Sequence, residues 1–122
     1  MTTLLDASAL LAFVLDEAGA DMVEQALVDG AACTTVNWSE VAQKVLAAGR
    51  DWSLVRSLLL SYDLRIEPVI AADGEWAAAR WRRGEGLAIA DRICLGVAAR
   101  LRCEILTADA AWGEDDPVRQ LR

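Results

Sequence analysis

Histidine is absent from this 122-residue chain. That absence excludes Ser-His-Asp and Cys-His nucleophile pairs, His-ligated zinc and acid–base cleavage by paired imidazoles. Lysine occurs once, as Lys44, which removes lysine-rich phosphate grips and leaves a single candidate for Schiff-base chemistry. The three cysteines, Cys33, Cys94 and Cys103, are odd in number, lie in apolar stretches and form no Cys-x-x-Cys. They read as buried reduced thiols rather than as disulfides or a metal site. No apolar run approaches the roughly 18 residues needed to span a membrane. The start of the chain, Met1-Thr2-Thr3-Leu4-Leu5-Asp6, lacks the basic segment and cleavage site of a signal peptide. The expectation is a cytoplasmic protein without a membrane partner.

Acidic and apolar residues are plentiful. Nineteen acids against twelve bases give a formal charge of −7, which argues against a nonspecific DNA coat while leaving room for a local basic strip. Hydrophobic residues make up 55% of the chain and mean hydropathy is +0.25. For a chain this small, that surplus points to a protein interface. The helical stretches near residues 8–29 and 36–62 are the expected groove for a partner or a second copy, with Ala9, Ala12, Ala42 and Ala47 permitting close approach.

No linker, repeat or low-complexity segment divides residues 1–122, so one domain is expected. Short apolar runs at 2–5, 31–35, 64–69, 104–107 and 118–121 read as strands. They alternate with helical stretches at 8–15, opened by Ser8 as N-cap, and at 19–29, 36–48, 52–62, 71–83 and 88–102. This alternation predicts an α/β three-layer sandwich with a short, largely parallel sheet of four to five strands flanked by helices. The active edge of such a sheet lies beyond the carboxyl ends of its strands.

Asp6 follows Leu4-Leu5 and Asp109 follows Ile105-Leu106-Thr107, so both acids fall just past strand ends. Glu40 lies in the first turns of the helix after the second strand, and Asp91 in the first turn of the 88–102 helix beside an apolar stripe. Taken singly, each acid has an ordinary role. Asp6 and Asp109 suit turns or caps, Glu40 suits an exposed pair with Lys44, and Asp91 suits a helix N-terminus. One shared site accounts for all four together. Acids converging without bases repel one another unless a cation is bound, and an all-carboxylate set suits Mg²⁺ or Mn²⁺. Metal-dependent phosphodiester hydrolysis is the chemistry this set supports.

The segments Asp6-Ala7-Ser8-Ala9-Leu10-Leu11-Ala12, Asn37-Trp38-Ser39-Glu40-Val41, Ala90-Asp91-Arg92-Ile93-Cys94-Leu95 and Leu106-Thr107-Ala108-Asp109-Ala110-Ala111-Trp112 resemble the four acidic motifs of PIN-domain ribonucleases. Within that family, the chain is most similar to the VapC toxins of bacterial toxin–antitoxin pairs. The resemblance runs over nearly the whole chain in the expected order. It implies a Mg²⁺-dependent endoribonuclease acting on structured RNA such as tRNA or rRNA, leaving a 5′-phosphate and a 3′-hydroxyl. It further implies neutralisation by a VapB-like antitoxin and assembly as a homodimer. Asp6 and Asp91 match the firmest metal ligands, with Glu40 and Asp109 completing the set.

Other residues carry weaker signals. Ser8 is an N-cap, or a hydrogen-bond partner of Asp6 or of a metal-bound water, and Thr107 stands at a strand end. Arg80, Arg82, Arg83 and Arg92 are candidates for phosphate contacts or for a solvated, salt-bridged helix end. The run Glu114-Asp115-Asp116 reads as a solvated loop, and the five tryptophans as core or partner contacts. Two rival functions stand beside the ribonuclease. One is a PIN-like binding module without catalysis. The other is a phosphotransfer protein using Asp6 as nucleophile, which lacks the second acid two residues on because Ser8 occupies that place.

Overall fold

A computed structural model describes residues 2–122. Five strands form one sheet: β1 (Thr3–Leu5), β2 (Ala31–Thr34), β3 (Arg65–Glu67), β4 (Glu104–Thr107) and β5 (Val118–Gln120). Their order is β3-β2-β1-β4-β5, and every pairing is parallel. Six helices connect them: α1 (Ala7–Val14), α2 (Ala20–Asp29), α3 (Thr35–Ala47), α4 (Trp52–Leu60), α5 (Ala71–Arg80) and α6 (Ile89–Leu101). A single 3-10 turn, Ala110–Trp112, lies between β4 and β5.

Period-two alternation divides the sheet between two helical layers. Leu5, Cys33 and Leu106 face a core shared with α1 to α4, built on Leu10, Val23, Leu27, Val41 and Leu59. Leu4, Ala32, Ile105 and Val118 face the other way, onto Cys94, Leu95, Val97 and Ala98 of α6. The three cysteines are free and buried. α6 in turn carries α5, and Gly96 permits the contact. A Cβ there would lie 3.1 Å from both the Asp73 carbonyl and the Trp76 ring.

Element boundaries differ from expectation where a side chain or a proline intervenes. Asp6, rather than Ser8, is the N-cap of α1, because its carboxylate accepts from the Ala9 N–H at 2.8 Å. β3 stops at Glu67, since Pro68 has no N–H to continue the ladder. α5 ends at Arg80, whose guanidinium grips both oxygens of Glu85 at 2.6 and 2.8 Å across the following loop. Ala9 and Ala12 are fully buried in the core and so do not line a partner groove. Of the tryptophans, Trp38 and Trp52 pack edge to face at 5.0 Å and Trp112 is buried. Trp76 and Trp81 remain substantially exposed. Among the described residues, no helix is long and apolar enough to cross a membrane.

Asp73 fastens the α5–α6 layer. It accepts two bonds from Arg100 of α6, both 2.9 Å, and caps its own helix through the Ile70 N–H at 3.0 Å. The bond from Arg100 holds its carboxyl below the ordinary carboxylate range. Stability drawn from a depressed acid is present above its unfolded value and is lost as pH falls through the folded one. Asp73→Ala is therefore expected to cost about 2 kcal/mol at pH 7 by urea denaturation, from the lost cap and charged hydrogen bonds. The difference from the parent should narrow only below the ordinary value of 3.8. A gap that is the same at pH 7 and pH 3 would show that the ion pair contributes nothing.

Candidate active site

The strand order reverses between β1 and β4: β2 and β3 extend the sheet on one side, β4 and β5 on the other. Neighbouring connections diverge at such a point and leave a crevice beyond the strand ends. The pairing Leu5↔Leu106 brings Asp6 level with Thr107, and the Asp6 N–H donates to the Leu106 carbonyl at 3.3 Å. Thr107 donates its hydroxyl to Asp6 Oδ2. Ser8, in the first turn of α1, donates to Oδ1 at 2.7 Å. Each hydroxyl also accepts a backbone N–H, Ser8 from Ala108 at 2.9 Å and Thr107 from Asp109 at 3.0 Å. With ionised Asp6, both hydroxyl protons are committed to the carboxylate, so the 3.2 Å contact between Ser8 and Thr107 has no proton of its own.

The other acids are tethered in the same manner. Asn37, buried at the start of α3, donates Nδ2 to Glu40 Oε1 at 2.8 Å. The amide orientation is fixed because Thr34 donates its hydroxyl to Asn37 Oδ1 at 2.9 Å and accepts the Asn37 N–H at 3.0 Å. Ala88 N–H donates to Asp91 Oδ2 at 2.9 Å across the α6 N-terminus. Ala111 N–H donates to Asp109 Oδ1 at 2.9 Å. Glu40 Oε2, Asp91 Oδ1 and Asp109 Oδ2 accept no hydrogen bond among the described residues, and Asp6 Oδ2 retains a second lone pair beside the Thr107 bond. Glu40, Asp91 and Asp109 are thus each fixed through one hydrogen bond and Asp6 through three, and each carboxylate has acceptor capacity left for a ligand.

All four acids line one cavity of about 490 Å³, together with Ser8 and Asn37. None of them forms an ion pair among the described residues. In particular, Glu40 does not pair with Lys44. Burial pushes the Asp6 carboxyl up to about 6, against the opposing pull of its bonds to Thr107, Ala9 and Ser8, with Asp91 adding repulsion. The Asp91 carboxyl is likewise raised, first by burial and then by Asp109 and Glu40. The Ala88 bond and Arg92 act in the opposite direction.

This donor set fits a hard divalent cation: oxygen ligands only, surplus negative charge, and acceptor capacity on every acid. No three of the acids are drawn into a ready-made metal cage among the described residues. Mg²⁺ keeps several of its waters and needs only one or two direct carboxylate ligands.

Of the two roles weighed for Arg80, Arg82, Arg83 and Arg92, phosphate contact or a salt-bridged helix end, Arg80 takes the second. Arg80 is paired with Glu85, and Arg92 donates to the Ala77 carbonyl at 2.6 Å. Arg82 and Arg83 are exposed, with Arg83 over the Trp81 ring at 5.7 Å. None of the four lines the cavity, whose basic residues are Lys44, Arg50 and Arg122. Asn37 and Thr34, absent from the expected set, carried one signal: a helix start of Thr-x-x-Asn directly before an acid one turn on.

A raised acid lowers stability as it ionises. The folded protein without metal should therefore lose stability as pH rises from about 4 to about 6, and then level off. Relative to Asp6→Asn, the parent in EDTA is expected to lose about 2 kcal/mol between pH 4 and pH 7 by chemical denaturation. Mg²⁺ at pH 7 should restore the loss in the parent and not in the variant. Parallel stability curves for the two proteins would contradict a buried, uncompensated Asp6.

Residues 3–114 match the PIN domain family. Among curated proteins, none matches the sequence with significance. The fold is similar to a toxin-antitoxin complex from Klebsiella pneumoniae, with TM-score 0.78 and 21% identity over 98% of each chain. It is also similar to VapBC2 from Rickettsia felis bound to a DNA fragment from their promoter, with TM-score 0.72 and 14% identity over 98% of each chain. The Mycobacterium tuberculosis toxin VapC20, which cleaves the sarcin-ricin loop, matches with TM-score 0.71 and 15% identity over 96% of this chain and 98% of its own. At such identities the likeness establishes the fold, while the family match covers most of the sequence. The chain belongs to the PIN-domain family.

Proposed function

We propose that this protein is a VapC-type toxin, a Mg²⁺-dependent endoribonuclease cutting structured RNA such as tRNA or rRNA and held inactive by a VapB-like antitoxin. The observation that carries this reading is the set of four tethered carboxylates in one cavity, each with acceptor capacity left and none paired with a base. Asp6, Glu40, Asp91 and Asp109 would hold Mg²⁺, with Mn²⁺ as a substitute. Bound there, a divalent ion supplies an ionised water and neutralises charge on the phosphate oxygens.

The chain's own residues set up that chemistry. Ser8, Ala9 and Thr107 fix the rotamer of Asp6 and offset part of the cost of burying its charge. Asn37 turns Glu40 toward the cavity it lines, and the Ala88 N–H does the same for Asp91. Asp6 as a phosphoryl acceptor fits less well, because its oxygens already take three hydrogen bonds and family membership points elsewhere. Leu46, Leu54 and Leu58, on and beside the α3–α4 turn, are exposed apolar residues suited to the antitoxin or to a second copy in a homodimer.

Purified protein should cut RNA with Mg²⁺ and stop in EDTA. Asp6→Asn and Asp91→Asn are each expected to lower the rate at least 100-fold, the scale on which loss of a positioned charged group acts. Asn37→Leu should lower it less and raise the Mg²⁺ concentration needed for half-maximal rate. Undiminished cleavage in EDTA or in both acid variants would contradict the metal mechanism. No cleavage across a broad panel of RNAs, with antitoxin binding retained, would favour a non-catalytic binding module.

A further inference from the structure

The cavity holding the four acids is not uniformly acidic. It runs between α1 and α3, with Asp6, Ser8 and Asn37 at the N-terminal ends of those helices, and Leu15, Ala48 and Arg50 at or past their C-terminal ends. Along α3 the wall reads Glu40, Lys44, Ala48 at one-turn spacing, and Arg50 follows the helix. Of the cavity's three bases, Arg122 is bound to Glu17 at 3.8 Å and to the Ala18 carbonyl at 3.1 Å. Lys44 and Arg50 form no ion pair among the described residues, although Glu40 lies one turn from Lys44.

We infer that Lys44 and Arg50 form a phosphate-binding subsite that holds the RNA backbone beside the acids, an inference that rests on the ribonuclease reading. A chain of net charge −7 repels RNA, and the acids at the reaction point do so most strongly. Two uncommitted cations on the same cavity wall give the backbone a hold away from the carboxylates. Leu15, an exposed apolar side chain, lines the cavity too and offers a surface for the ribose and base.

The test measures RNA binding in an Asp91→Asn background with Mg²⁺, by fluorescence anisotropy of a labelled mixed-sequence single-stranded RNA from 50 to 300 mM salt. Each phosphate contact contributes about 0.7 to the slope of log affinity against log salt on a single strand. Lys44→Gln and Arg50→Gln are each expected to lower that slope by about 0.7 and to weaken binding about fivefold at 0.1 M salt. Arg82→Gln, outside the cavity, should change neither, and with Asp91 intact the Mg²⁺-induced rise in melting temperature should persist in all three. The ribonuclease reading is judged separately, by cleavage with Asp91 intact. Cleavage there, combined with unchanged slopes for Lys44→Gln, Arg50→Gln and the charge-reversing Lys44→Glu, overturns the subsite alone. Absence of both cleavage and RNA binding overturns the subsite together with the ribonuclease reading.

Discussion

Because β1 and β4 are adjacent, parallel and paired Leu5 to Leu106, the chain leaves both strands at the same level. Asp6 then meets Thr107, and the short loop after β4 returns Ala108 and Asp109 past Ser8. Two hydroxyls and three backbone N–H groups are thereby gathered around one buried carboxylate and its neighbours. A shift of one residue in this register would turn Leu5 and Leu106 out of the core and separate Asp6 from Thr107. The hydrophobic alternation that builds the sheet therefore also builds the site, and α3 and α6 add their acids from the two helical layers.

The site works against the electrostatics of folding. Asp6 is nearly fully buried and unpaired with any base, and its carboxyl is pushed up to about 6. A protein concerned only with stability would place a base beside it or an apolar side chain in its stead. The hydrogen bonds from Ser8, Ala9, Thr107, Asn37 and Ala88 compensate in part. They fix the oxygens without neutralising them, so charge is held ready for a cation. Elsewhere acids are handled conventionally, as with Asp73 and Glu85, each gripped by an arginine. Among the described residues five other acids, Glu17, Glu67, Asp73, Glu85 and Glu104, pair with an arginine, and none of the four at the site does.

Much of this was legible in the sequence because strand and helix periodicities are local. The strand-ending positions of Asp6 and Asp109, and the first-turn positions of Glu40 and Asp91, followed from short apolar runs. Side-chain partners were not legible, because they depend on contacts between distant segments. The salt-bridged helix end weighed for Arg80 is realised through Glu85 five residues on, but nothing in the sequence showed that Arg92 would turn to the Ala77 carbonyl. The i,i+4 spacing of Glu40 and Lys44 favoured a pair, yet Asn37 captured the carboxylate from within the first turn of α3. Ser8 looked like a cap by type, but Asp6 sits at the position where the backbone enters the helix.

The central claim is that four separately tethered carboxylates share a divalent cation. Titration of Mn²⁺ into the metal-free protein, followed by the electron paramagnetic resonance signal of the free ion, tests it without RNA or antitoxin. The account predicts saturable uptake of at least one Mn²⁺ per chain, displaced by Mg²⁺ and lost in both Asp6→Asn and Asp91→Asn. Uptake by the parent no greater than by those variants would contradict it.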